Sequence, residues 1–310
     1  MTASPQAAPG WIAETMTYSV LAEAVSWPSP GLVSAVSTGC HGDMDIYTFL
    51  RSALRIQPYY QEAARLGIEE SAGRTAREDL FSRLQKTGQR AEADMLRATG
   101  GVNTHKGTIF LGLILCAAAG MACRGEAVAA DPSGICRLAG RLAEYPLRTQ
   151  LADILEETHN ASTGARAFRE WGIRGIRGEV IDRFPSIIQK GLPSFREALD
   201  QGADLRTAQI HCLLSLMAVV EDTTLLNREF DRTRISYTQS CALEALDRGS
   251  LFTAAGRDYI RTMEEDFRLR SLSPGGSADL LAMTLALHLW TENQGRKECG
   301  ERFRCVSNTS

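Results

Sequence analysis

Residues 98–107 read ATGGVNTHKG and run straight into the apolar stretch IFLGLILCAAAGMAC. Two glycines, an amide, a hydroxyl, an imidazole and an ammonium stand where a buried helix would begin, a set that packing alone does not require. Glycine turns the chain sharply and lets a ligand approach backbone amides. A helix start adds unpaired N–H groups and the positive end of a dipole. A second pair, Gly275–Gly276, precedes another apolar run in SPGGSADLL (273–281). With Lys106 after Gly100 and Gly101, and Ser273 and Ser277 around the second pair, phosphate is the natural guest. Helix-capping turns are the structural alternative. The order Lys106-Gly107-Thr108 is not that of a Walker loop.

GCHGDMD (39–45) places His41, Asp43 and Asp45 close together. Alternating carboxylates suit an oxygen-liganded cation such as Mg²⁺, which takes one or two carboxylates plus substrate phosphates. An N-cap carboxylate beside a solvated one is the plainer reading. Asp222 follows the apolar run that ends Met217-Ala218-Val219-Val220. An acid there opposes the helix dipole, so a compensating cation or ligand is expected. Arg174, Arg177 and Glu179 in GIRGIRGE suit either polyphosphate binding or mutual surface pairing. His159, His211 and His288 lack ligand spacing, and Cys40 beside His41 does not by adjacency make a nucleophile.

The elements that must position these groups are helical. Segments such as MTYSVLAEAVSW, REDLFSRLQKTGQRAEADMLRA and TAQIHCLLSLMAVV carry apolar residues at helical spacing, and no run is long enough to seed a sheet. Helices near 109–123, 208–220 and 279–290 are apolar almost all round, which means central burial. The expectation is an all-α fold: a single compact multi-helix domain over 1–290, with buried central helices and Gly-rich interhelical loops. The polar tail 291–310 is expected to fray.

The 310 residues carry a net charge of -3, with no basic block to suit nucleic acid. The 15-residue apolar run Ile109–Cys123 is too short for a membrane span. Eight cysteines with no C-x-x-C pair suit a reducing cytosol, and the first 30 residues show no secretion signal. A cytoplasmic protein is expected.

At ATGGVNTHKG the chain resembles the triphosphoribosyl-dephospho-CoA synthase family, which makes the prosthetic-group precursor of citrate lyase and malonate decarboxylase. The likeness spans roughly 18–290 in order. It runs through PGLV and GCHGDMDIYTFLRSA, RAEADMLRATGGVNTHKGTIF, STGARAFREWGIRGIRGEVIDRFPSI, EDTTLLNRE and SPGGSADLLAMT.

The resemblance implies an α-helical pentosyltransferase that binds ATP and 3′-dephospho-CoA. It joins the acceptor 2′-hydroxyl to C1 of the ATP ribose and releases adenine, through an oxocarbenium-like state. Its product passes to a separate transferase and an acyl-carrier protein. His41, Asp43, Asp45, His105 and Glu179 are the expected catalytic set, with His105 or His41 as base. Gly100, Gly101, Asn103, Thr104, Lys106 and Gly107 would cradle phosphate. Arg177, Arg228, Ser273, Gly275, Gly276, Ser277 and Asp279 would complete the pocket, and Asp43, Asp45 and Asp222 would hold Mg²⁺.

The chain departs from the family pattern in several places. Ser29 stands where a lysine is usual, Arg183, Glu229 and Phe230 where glycines are expected, and Thr224 where an asparagine is expected. These departures point to a divergent member. A different small acceptor, or a silent nucleotide-binding relative, are the rival readings.

Overall fold

A computed structural model describes residues 7–74, 77–124, 127–156 and 162–292. Twelve α-helices run through them: α1 Ala7–Val25, α2 Ile46–Ser71, α3 Arg77–Thr99, α4 Lys106–Met121, α5 Pro132–Glu156, α6 Thr163–Trp171, α7 Gly175–Ile181, α8 Leu192–Asp200, α9 Leu205–Met217, α10 Thr233–Asp247, α11 Ala254–Arg270 and α12 Gly275–Glu292. The only extended pairing among the described residues is a two-residue antiparallel contact, Cys123–Arg124 against Ala127–Val128. The all-α expectation holds. Residues 293–310 and His159 lie outside the described residues, while α12 itself continues to Glu292.

The three apolar runs become α4, α9 and α12. In α4 every residue from Thr108 to Met121 except Phe110 is buried, and α12 is buried from Gly276 to His288 apart from Asp279. Helices apolar on all sides must be wrapped by others. Here α2, α1, α3, α5 and α12 pack around α4. The tightest approach is between α2 and α4: a Cβ on Gly67 would sit 2.0 Å from the Ala117 carbonyl oxygen, and one on Gly120 2.1 Å from that of Ala64. The two glycines bring the backbones together, and α2 thereby carries its own start up to the start of α4. Ser52 and Phe49 in the first turns of α2 touch His105, the residue just before α4.

α12 crosses α1, α4 and α9. The short 3₁₀ turn Thr223–Leu226 lies against α6 and α12. The starts of α2, α4 and α12 therefore occupy one end of the core with the 222–228 segment beside them.

Candidate active site

Each of these three helix starts is held by an aspartate. Asp45 caps α2, its Oδ1 accepting from Thr48 N at 2.8 Å and from Thr48 Oγ1 at 2.7 Å. Asp222 caps α12 across the fold. Its Oδ1 accepts from Gly276 N at 3.2 Å, and its Oδ2 from Ser277 N at 2.8 Å and Ser277 Oγ at 3.2 Å. Thr224 donates to Asp222 Oδ1 from N at 3.0 Å and from Oγ1 at 2.6 Å. Asp279, on α12, in turn caps α4: it accepts from the hydroxyl and the amide of Thr108. A carboxylate against a helix start meets both unpaired amides and the positive dipole end.

The glycines exist for these contacts. A Cβ on Gly107 would lie 1.9 Å from Asp279 Oδ2, and one on Gly276 2.7 Å from Asp222 Oδ1. This corrects the expectation that phosphate fills the seats at α4 and α12, because the chain's own carboxylates sit there. The pair Gly100–Gly101 closes α3 instead. Both have positive φ, 69° and 94°, and Gly101 N donates to Leu96 O at 2.8 Å, the bond of a Schellman ending. Asp222 is likewise corrected as a metal ligand. It is only 3 % exposed and already accepts five hydrogen bonds. Among the described residues no group of three or more His, Cys, Asp or Glu side chains is arranged to hold a metal ion, so Asp43, Asp45 and Asp222 form no shared cage. Asp43 and Asp45 remain exposed, and Asp45 spends only Oδ1 on its cap. Those two fit Mg²⁺ arriving with phosphates, which needs a couple of carboxylates and completes its shell elsewhere.

A second acid joins Asp279. Burial pushes Asp279 up to about 7, with Asp222 adding to the rise against the pull of the Thr108 bonds. Glu23 on α1 is pushed up to about 8, first by burial and then by the charge of Asp279. Both side chains keep a partly accessible surface although protein surrounds them closely. At neutral pH Glu23 is therefore mostly protonated while Asp279 is poised between its two forms. Tyr60 stands nearby, its hydroxyl 3.4 Å from Thr108 O and its own pKa raised by burial, Cys116 and Asp279. The sequence reading missed Glu23. Its signal was a lone carboxylate inside the apolar run Leu21-Ala22-Glu23-Ala24-Val25.

The two candidate bases separate clearly. His41 Nε2 is 2.9 Å from Ser273 Oγ, and its Nδ1 is 3.8 Å from Asp43 Oδ1. Burial and then Arg228 lower its pKa, with Asp43 opposing. His105 is 2 % exposed, with Nδ1 2.6 Å from Ser52 Oγ and no partner on Nε2 among the described residues. Burial drives it down to about 3. Thr104 Oγ1 donates to the same Ser52 Oγ at 2.7 Å, so Thr104 and His105 form a buried strut between α2 and α4.

The cations are spread around this core. Lys106 is exposed and paired with Glu92 at 2.7 Å, while Asn103 Oδ1 accepts from Lys106 N at 3.1 Å. Arg228 is exposed, and its charge reaches Cys40 and His41. Arg177 is half-buried, and its Nε has no partner among the described residues. Arg174 pairs with Asp182, and a Cβ on neighbouring Gly175 would lie 3.2 Å from the Thr223 side chain, which ties α7 to the Asp222 segment. Glu179 is spent on the turn after α7, where it accepts from Ser186 N at 3.3 Å and Ser186 Oγ at 2.5 Å. Burial raises its pKa against those bonds.

Residues 9–298 match the family model described as ATP:dephospho-CoA triphosphoribosyl transferase. The chain belongs to this family. It is also 34 % identical over 279 residues to a protein of Streptococcus mutans serotype c named "Probable 2-(5''-triphosphoribosyl)-3'-dephosphocoenzyme-A synthase", covering 86 % of this chain and 92 % of that protein. No solved structure matches the chain.

Most departures of this triphosphoribosyl transferase homologue have local explanations, Arg183 being the exception. Ser29 is buried, its Oγ donating to Ser26 O at 2.5 Å and its amide to Glu264. Thr224 bonds Asp222 and accepts from Gly275 N at 2.9 Å, stapling the loop to α12. Glu229 pairs with Arg234 at 2.8 Å. Phe230 stacks on Trp171 at 4.5 Å, with the Arg166 guanidinium 3.7 Å from its ring centre. Arg183 has φ 66° where a glycine is usual, a conformation that costs an arginine about 1 kcal/mol.

Proposed function

We propose that the chain performs its family's reaction at the starts of α4 and α12, transferring the triphosphoribosyl group of ATP to the 2′-hydroxyl of 3′-dephospho-CoA with release of adenine. The observation that carries the site is the bond between His41 and Ser273. It joins the 39–45 loop to the start of α12, and Thr224 and Asp222 extend the same network, with Asp279 one turn further along α12.

Neutral His41 takes the proton of the 2′-hydroxyl, and Asp43 then stabilises the imidazolium. The C1–N bond to adenine breaks as the new C1–O bond forms. The ionised member of the Glu23–Asp279 pair faces the positive charge growing on the ribose, and the protonated member gives its proton to the departing adenine. Lys106, Arg177 and Arg228 supply cations for the triphosphate; an exposed pair such as Lys106–Glu92 is worth about 0–1 kcal/mol, so phosphate can replace Glu92. Mg²⁺ bound with ATP would be held by Asp43 and Asp45 and would neutralise phosphate charge.

No disulfide joins the six described cysteines to one another, in keeping with a reducing cytosol. Among the described residues no helix is long and apolar enough to cross a membrane. The product is passed on to a separate transferase and an acyl-carrier protein.

The test is to incubate the protein with ATP and Mg²⁺, with and without 3′-dephospho-CoA, and to measure free adenine by chromatography. Adenine that appears only with dephospho-CoA is expected. Adenine released equally without it would assign a different acceptor, and binding without release would mark a silent relative.

A further inference from the structure

A cavity of about 640 Å³ opens between the first turns of α10 and the end of α11. That size suits a small-molecule site. Its lining includes Glu229, next in the chain to Arg228, and Leu272, next to Ser273. Arg234 makes it rigid. That guanidinium is buried and donates to Leu225 O at 2.9 Å, Arg270 O at 2.9 Å and Ser271 O at 2.8 Å, while its charge also reaches Cys40.

The chemistry of the walls selects the guest. Every cation of the cavity is already matched: Arg234 by Glu229 at 2.8 Å, and Arg270 by Asp266 at 2.8 Å. Asp231 accepts from Thr233 N at 2.9 Å and Thr233 Oγ1 at 2.6 Å. Glu229 and Asp231 in the lining offset Arg234 and Arg270, so the wall carries no net positive charge to draw a phosphate. Ser236 Oγ donates to Thr233 O at 3.0 Å and the Tyr237 hydroxyl to Asp266 Oδ2 at 2.8 Å, so both oxygens face the cavity as acceptors, and Ser240 adds an exposed hydroxyl beside Leu269 and Leu272. These suit a neutral chain that alternates amides with methyl groups.

Building on the transferase reading, we infer that this cavity holds the pantetheine arm of the acceptor while the nucleotide end reaches His41. The arm is uncharged and carries two amides, a hydroxyl and a pair of methyls, which matches the hydroxyl oxygens and the apolar wall of the cavity. The position also explains the departure at Glu229, whose carboxylate neutralises Arg234 at the cavity's edge.

Ser240 is exposed on α10, so Ser240→Trp fills the cavity without entering the core. The variant is expected to raise the KM for dephospho-CoA at least tenfold while leaving the KM for ATP and the melting temperature unchanged, with Ser240→Ala close to wild type. Free pantetheine is expected to compete with dephospho-CoA in the wild-type protein and to lose that effect in Ser240→Trp. An unchanged KM for dephospho-CoA, or pantetheine that does not compete, overturns the inference. If the wild-type protein releases no adenine with dephospho-CoA, the transferase reading fails separately. In that case pantetheine titrated into ¹⁵N-labelled protein decides the cavity: shifts at the Ser236 and Ser240 amides support it, and their absence overturns it.

Discussion

A histidine can accept a proton only if it is both empty and reachable, and His41 and His105 differ on the second count. Burial leaves His105 neutral far below neutral pH but also walls it in between α2 and α4. His41 stays half-buried, with a carboxylate behind it and a hydroxyl in front. Replacing His41 by Gln is expected to lower kcat by about 10²–10⁴-fold with an unchanged melting temperature; steady-state kinetics at saturating ATP check this. Spacing alone left the two histidines equal, because only packing reveals which one meets solvent. The acids give a pH signature. Folding raises Glu23 from 4.5 to about 8, so the folded chain keeps a proton there that the unfolded chain releases. That contribution is intact below the unfolded value and lost as pH climbs through about 8. His105 acts in the opposite sense, its lowered pKa costing stability as pH falls below 6.5. The clean readout is therefore a difference: Glu23→Gln is expected to match wild type in thermal melts near the unfolded pKa of 4.5 and to gain on it steadily up to about pH 8.

At the scale of elements, the starts of α4 and α12 have their dipoles met by aspartates from elsewhere in the chain, while α2 is capped by its own Asp45. Helical periodicity and the glycine-rich loops were legible in the sequence, and so was an anion at each start. What filled the seats was not, since Thr108 and Asp279 lie 171 residues apart and no local pattern links them. Nor do prolines mark every helix end. α2 runs through Pro58 and α5 through Pro146, where neighbouring packing outweighs the lost hydrogen bond. The capping account distinguishes glycines that look alike on paper. Gly107→Ala forces a Cβ onto Asp279 and is expected to cost about 1–3 kcal/mol in urea unfolding and to depress activity with it. Gly100→Ala meets open space and carries only the strain of a positive φ, about 1 kcal/mol, with activity preserved.

The described residues form one core, with the starts of α2, α4 and α12 gathered at one end of it. Buried α4 anchors that arrangement, and Leu111→Ala in its centre is expected to destabilise the protein by about 2–5 kcal/mol without altering the KM for either substrate. Five polar segments scattered over the sequence were expected to converge. Four of them do so directly, through the His41–Ser273, Asp222–Ser277 and Asp279–Thr108 contacts. The fifth, with Arg177, attaches through Gly175 and Thr223. Glu23 completes the group from α1, where a single acid in an apolar helix gave no hint of its neighbour on α12. The central claim is that the Glu23–Asp279 pair handles the proton and the charge when adenine leaves. The most direct measurement is acceptor-dependent adenine release by Asp279→Asn, an amide that can still accept from Thr108 and so preserve the cap. The account predicts release at least a hundredfold slower than wild type, with ATP affinity and melting temperature retained. Release at the wild-type rate would contradict it.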